Sequence, residues 1–315
     1  MTTLSRSSHR RRRYHPPAPL GGRPRTTRQN SVAALFLLPA LIILIAFVGW
    51  PMLSALRLSF TDASGFGIET WVGLDNYVTV FTDPRILSTL GVTALYTILF
   101  TPTALISALL LALLLGNRHL IGRGFFRTAL FLPFVVSLAV AAFAWTYLLD
   151  PQVGLLNYWL RAVGLQLGNV LQDPTLAMPT VVLVAIWKSF GFYMVIFIAG
   201  LQEIPESLYE AAKIDGAGAW RRFTNVTLPQ LSNTLAFVVT FAMIAALQAF
   251  DQIYVMTGGG PYRSTQTVVM EIYQEGFKKL DLGGATALSY VLLIATLILS
   301  LVQFGFFGRR EKENG

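Results

Sequence analysis

The chain has 315 residues, of which 54% are hydrophobic and only 13% charged, with a net charge of +8 and a mean hydropathy of +0.58. Soluble domains carry roughly 25% charged residues, so this chain has too little polar surface to cover a soluble globule, and a membrane protein is expected. It contains no cysteine, which excludes disulfides, thiol nucleophiles and thiolate metal sites; His9, His15 and His119 have no ligand spacing to one another, and no nucleophile–base pair or metal constellation is present.

Residues 1–30 are basic, rich in proline and glycine and without apolar periodicity, the composition of a disordered tail. Six apolar runs follow, approximately Ala33–Leu56, Leu87–Leu115, Thr128–Leu149, Ala177–Leu201, Thr234–Val255 and Ala285–Phe307. Each is long enough to cross a bilayer, which takes about 20 residues. Pro39, Pro51, Pro102 and Pro133 interrupt some of them, as membrane helices tolerate. The expected fold is all-α and integral to the membrane, with six transmembrane helices over 31–308 and a short tail at 309–315. The first run is too long for the apolar region of a signal peptide, about 7–15 residues, and no small-residue cleavage site follows it. With the N-terminus inside, seventeen Lys and Arg fall on inner segments and six on outer ones. That bias places both termini in the cytoplasm.

The same orientation puts a polar loop, residues 202–233, on the cytoplasmic side between the fourth and fifth runs. Pro205 suits the first turn of a helix. Leu208, Ala211, Ala212 and Ile214 recur at three and four, and Asp215-Gly216 supplies a glycine where a chain leaving a helix often needs positive φ. A second short helix is expected from Ala219 to Val226, ended by Pro229. Pattern alone leaves two readings of this helix–turn–helix: a docking element with one face kept small by alanines, or an amphipathic pair lying on the bilayer with Trp220, Arg221 and Arg222 at the interface.

Glu210-Ala211-Ala212, Gly216 and Val226-Thr227-Leu228-Pro229 resemble the "EAA" loop of permease subunits in ATP-binding-cassette importers, with valine in place of the usual isoleucine. "LSFTD" (58–62), "VGLDNY" (72–77), "GRGFFRTALFLP" (122–133), "GLLNYWL" (154–160) and "FDQIYVMTGGGP" (250–261) are similar to the carbohydrate branch of that family, the maltose- and glycerol-3-phosphate-type permeases. The resemblance implies a translocation subunit in the bacterial inner membrane whose loop docks on a cytoplasmic ATPase, with Glu210, Ala211, Ala212, Asp215, Gly216, Leu228 and Pro229 as coupling residues. It implies a second permease subunit, two ATPase subunits carrying ATP and Mg, and an external solute-binding protein. The chain has no G-x-x-x-x-G-K-[ST] phosphate loop of its own, so it is expected to bind no cofactor; "TGGGP" (257–261) lacks the lysine and reads as a turn.

Ionisable and amide groups inside apolar runs mark candidate positions on a solute path. Lys188 lies near the middle of the fourth run, flanked by Trp187 and Tyr193. Gln248, Asp251 and Gln252 recur at three and four and are expected on one face of the fifth, with Tyr254 nearby. Amides, a carboxylate and aromatic faces suit a polyhydroxylated ligand; they also serve as helix–helix contacts. A stand-alone secondary transporter is the rival reading, although the internal repeats expected of one are not evident. A membrane-embedded enzyme is weaker still.

Overall fold

The computed structural model describes residues 27–65, 67, 69–116, 120–165 and 168–314. The N-terminal tail through residue 26, with His9, His15 and Arg10 to Arg13, and the pair Arg118 and His119 lie outside them. The chain divides between Leu53 and Ser54 into two compact units. In the first, helix α1 (Thr27–Leu44) passes through a π-helical turn at Ile45–Gly49 into α2 (Trp50–Leu58). Its apolar side chains from Leu35 to Leu53 are almost all exposed. A helix that is apolar on every side in this way is suited to hydrocarbon.

The second unit contains α3 (Asp75–Thr82), α4 (Pro84–Gly116), α5 (Arg123–Val135), α6 (Leu138–Leu148), α7 (Leu155–Ala162), α8 (Ala177–Glu203), α9 (Glu206–Ile214), α10 (Ala219–Arg222), α11 (Leu228–Gln230), α12 (Ser232–Leu247), α13 (Asp251–Met256), α14 (Val268–Tyr273) and α15 (Leu282–Asn314). Among the described residues there is no strand, only two isolated bridges. Leu35–Leu58, Pro84–Gly116, Ala177–Glu203 and Leu282–Gln303 are long and apolar enough to cross a membrane. The run expected as the third span is broken, with α5 and α6 at 97°; α10–α11 meets α12 at 71° just before the run expected as the fifth, which is itself interrupted between α12 and α13. By length and composition, the described residues hold four such spans, or up to six if each bent pair is one span.

Helix α8 is the centre of this unit. More than half of its most apolar window is buried, 56% against 33% for α4. It packs most extensively on α4, where Tyr96, Phe100, Ala104, Ala108 and Ala112 recur at every fourth residue and are all buried. The three alanines let the backbones approach, the usual basis of helix contact in a membrane, where no hydrophobic drive separates one apolar surface from another. Gly191 does the same for α5: a Cβ there would collide with the backbone carbonyl of Leu130. At Gly200 a Cβ would meet the side chain of Thr234, in the first turn of α12, and more loosely that of Leu231.

A second, smaller cluster of Val80, Ile86, Val268, Ala287 and Leu288 joins α3, α4, α14 and α15. There two of the family-like stretches meet in space. Asn76 Nδ2 donates to the carbonyls of Ser59, 3.0 Å, and Thr61, 2.8 Å, and the hydroxyls of Ser59 and Tyr77 lie 2.7 Å apart. Helix α8 begins at a turn where Asp173 accepts from the Thr175 hydroxyl and the Thr175 and Leu176 amides. Those bonds hold its carboxyl below the usual range, the Thr175 side chain first.

The third span does not break at Pro133, the residue the sequence offers for a kink. Helix α5 runs through Pro133 to Val135, and the chain turns extended at Val136 (ψ 141°) and Ser137 (ψ 136°). Gly191→Ala is expected to destabilise the purified chain by about 1–3 kcal/mol, because the crossing cannot widen for one methyl without displacing backbone. Gly91→Ala, with nothing within 4 Å of the added carbon, is expected to leave the unfolding midpoint in detergent unchanged. Equal midpoints for the two variants would remove the α5–α8 contact from this account.

Candidate functional site

The loop that follows α8 is built from local rules. Pro205 stands just outside α9, at φ −59° and ψ 131°, and not in its first turn; the extended ψ is what aims the chain into the helix. The helix ends in a Schellman motif. Gly216, at φ +75°, donates to the Lys213 carbonyl at 3.0 Å, and Ala217 donates to the Ala212 carbonyl at 2.9 Å. The following helical stretch is longer than expected. It runs through a π-helical turn, Phe223–Thr227, and past Pro229 to Gln230. The wider turn before Pro229 accommodates a residue that has no N–H and crowds the carbonyl four positions back. The bend falls at Leu231 instead.

Tyr209 ties the two arms together, its hydroxyl 3.0 Å from that of Thr227. Beneath them is an apolar cavity of about 450 Å³, lined by Leu110 and Leu113 of α4 together with Tyr209, Trp220 and Phe223. On the outside, Glu210, Ala211, Asp215, Gly216, Leu228 and Pro229 are exposed and Ala212 is half-buried. Ile214 and Trp220, 87% and 75% exposed, flank the turn. The loop thus presents a rigid corner with an apolar rim.

Helix α12, sixteen residues long and so about 24 Å from end to end, leads from this loop to a second break. It stops at Leu247; Gln248, Ala249 and Phe250 (φ −139°, ψ −60°) leave the helix, and α13 starts at Asp251. Gln248, Asp251 and Gln252 therefore do not share the face of one continuous helix. They nonetheless line a common cavity of about 170 Å³, with Tyr96, Phe100, Leu138, Ser189 and Phe250. Gln252 is buried at 2% exposure; its amide nitrogen donates to the Tyr96 hydroxyl at 2.7 Å, and its carbonyl oxygen has no partner among the described residues. A buried acceptor left open in this way is uncommon, and it gives the cavity a ready site for a hydroxyl donor. Tyr96 was not legible as a site residue, because an aromatic in an apolar run reads as core.

The other expected positions go elsewhere. Lys188 makes no ion pair with Asp251. Its ammonium donates to the carbonyl of Phe134 at 3.1 Å and lies 4.8 Å from the centre of the Phe134 ring. Phe134 is in the last turn of α5, where carbonyls lose their helical partners and a cation is favoured; Lys188 caps the break in the third span. Trp187 packs edge-on against Trp145 at 5.4 Å, and Tyr193 is buried against Phe192 and Phe241. Tyr254 stands outside the cavity, stacked on Phe250 at 5.3 Å.

The segment after α13 is held by a buried carboxylate. Glu271, 2% exposed, accepts from Arg263 at 2.7 Å and from Gln266 at 2.8 Å. The glycine-rich stretch is a turn, with Gly258 and Gly259 at positive φ; a Cβ on Gly259 would strike the Gln266 side chain. Thr267 donates to the carbonyl of Ala249 at 3.1 Å, and the Thr93 hydroxyl of α4 receives the Val268 amide at 2.9 Å. The fifth-span break is thereby fixed to α4 and α14. Lys188→Met is expected to lower stability by about 1–3 kcal/mol, the cost of a half-buried carbonyl left unpaired at a helix end within the membrane, with Lys188→Arg close to wild type. Equal thermal midpoints for Met and wild type would deny Lys188 this role.

Comparison with known proteins agrees with this architecture. Residues 83–311 match the family model described as binding-protein-dependent transport system inner membrane component. The sn-glycerol-3-phosphate transport system permease protein UgpA of Agrobacterium fabrum is 38% identical over 281 residues, covering 88% of this chain and 94% of its own. A bacterial ABC transporter involved in the import of the acidic polysaccharide alginate superposes with a TM-score of 0.80 at 25% identity, over 90% of this chain and 96% of that one. A bacterial alginate ABC transporter in complex with an alginate pentasaccharide-bound periplasmic protein gives 0.80 at 24%, with the same coverage. The chain belongs to the family of binding-protein-dependent transport system inner membrane components, the multi-pass translocation subunits of ABC importers.

Proposed function

We propose that the chain is one half of the pore of an ATP-driven importer that takes a sugar or sugar-derived solute from an external binding protein. In this reading a second permease subunit supplies the other half, and two cytoplasmic ATPase subunits supply ATP and Mg chemistry. The observation that carries it is the rigid corner at Glu206–Leu231. A Schellman-ended helix, a tyrosine–threonine tie and an exposed small-residue face make an element that transmits a push without bending. An amphipathic pair lying on a membrane would need no such fixed angle. The Lys and Arg bias supports a cytoplasmic position for this corner and both termini, and α12 leads from the bend after it to the broken segment that lines the polar cavity.

Two tests follow. Tagged chain, extracted with its partners in mild detergent, is expected to bring down an ATPase and a second permease. Glu210→Ala and Gly216→Pro are expected to lose the ATPase and keep the permease, since proline cannot adopt φ +75° and the turn must reform. A stable chain that yields no ATPase in any mild detergent would sink the importer reading and favour a secondary transporter. Gln248→Ala and Asp251→Ala are expected to lower solute uptake several-fold with assembly intact. Unchanged uptake in both would take the cavity off the path.

A further inference from the structure

Four aromatic rings continue from the polar cavity. Phe250 lines the cavity itself. Its ring is 5.3 Å from Tyr254 and 5.2 Å from Tyr273; Tyr254 and Tyr273 are 5.2 Å apart, and Phe277 lies 5.6 Å beyond Tyr273. The rings come from two stretches of chain, at i and i+4 on each, and form one row because Tyr273 meets both Phe250 and Tyr254. Tyr254 is 42% exposed and Phe277 is 73% exposed. The row runs from the break to the side of α12 away from the Glu206–Leu231 loop, which is the external side if that loop is cytoplasmic.

The polar groups beside the row show what it suits. The cavity lining has one carboxylate, Asp251, and neither lysine nor arginine. Gln248, Asp251 and the open carbonyl of Gln252 all offer acceptors. Lys188 of α8 is not part of that lining, and its ammonium donates to the Phe134 carbonyl. At the far end of the row, Lys278 lies over the Tyr273 ring at 5.9 Å and Lys279 pairs with Glu275 at 2.6 Å. A phosphate or uronate would therefore meet a carboxylate and, among the described residues that line this half of the cavity, no cation, at a Coulomb cost that low dielectric magnifies. A neutral sugar ring meets what it needs: an aromatic face for its C–H surface and acceptors for its hydroxyls.

We propose that Phe250, Tyr254, Tyr273 and Phe277 form a path along which a neutral sugar ring passes into the cavity, and that this chain's half of the pore selects for the neutral ring over an anionic solute. The proposal rests on the importer reading and narrows its substrate. It separates this chain from the solutes named for its relatives, sn-glycerol-3-phosphate and alginate, both of which are anions.

Because the chain has no cysteine, single Tyr254→Cys and Phe277→Cys variants report on the row directly. They are to be assembled with the partner subunits in nanodiscs and labelled with N-ethylmaleimide, alone or with a panel of neutral mono- and disaccharides, maltose included, or with sn-glycerol-3-phosphate at equal concentration. At least one neutral sugar is expected to slow labelling at both positions by about tenfold, the factor that corresponds to roughly 1.4 kcal/mol, and sn-glycerol-3-phosphate is expected to change neither. Phe277, largely exposed, tolerates the change even if Tyr254→Cys assembles poorly. Protection by sn-glycerol-3-phosphate equal to that by any sugar would overturn the selectivity. No protection by any sugar, in a complex that still holds its ATPase, would overturn the path and assign the rings to the bilayer interface, with the importer reading intact. Failure to recover the ATPase at all would count against the importer reading and, with it, this one.

Discussion

Inside a bilayer, a backbone carbonyl that leaves its helix has no water to accept from and must find a donor within the protein. This chain interrupts its membrane-spanning helices at two places, and at each a side chain from another element supplies that donor. Lys188 of α8 serves Phe134 at the end of α5; Thr267, just before α14, serves Ala249 in the gap between α12 and α13. A third case closes the loop-side end of α4, where Arg127 of α5 donates to the carbonyl of Leu115 at 2.6 Å. These bonds run between elements, so satisfying the backbone also fixes which helices lie together. The close crossings at Gly191 and Gly200 then place α8 against both broken spans at once.

The arrangement makes the breaks useful. A continuous fifth span would hold Gln248, Asp251 and Gln252 on one helix face; the gap at Gln248–Phe250 takes Gln248 out of the helix, and the three still line one cavity with Tyr96. It also lets α13 pack against α6 and α8, with the Tyr254 ring meeting that of Tyr273 on α14. The same helix, α12, begins at the bend after Leu231, so the exposed corner and the cavity are the two ends of one rigid rod. On the proposed function, force delivered at the corner reaches the solute site without passing through a flexible segment.

The sequence displays some of this and conceals the rest for identifiable reasons. Continuous spans such as α4 and α8 are legible because twenty or more apolar residues admit few other structures. The turn at Gly216 is legible because an Asp-Gly pair at the end of an apolar stripe has a specific backbone use. The breaks are not, since neither Val136-Ser137 nor Gln248–Phe250 contains glycine or proline, and the residue that suggests a kink, Pro133, sits inside an intact helix. Pro229 misleads in the same way, its clash absorbed by the π-helical turn before it. Tertiary partners decide these points, and a Lys or Thr far away in sequence carries no mark of the carbonyl it will meet. For the cavity, polar residues in an apolar run identified three of its members, whereas Tyr96 and Phe250 needed the fold.

The central claim is that the Gln248–Phe250 break is a solute site that opens alternately to the two sides of the membrane as the loop is driven. The most direct measurement places a single cysteine at Gln248, which is exposed, in the assembled transporter in right-side-out and inside-out vesicles. Its reaction with a membrane-impermeant thiol reagent is followed with and without trapped ATP. Access from one side at rest and from the opposite side in the trapped state is the predicted result. A rate that is the same from each side in both states, or no reaction from either, would contradict it.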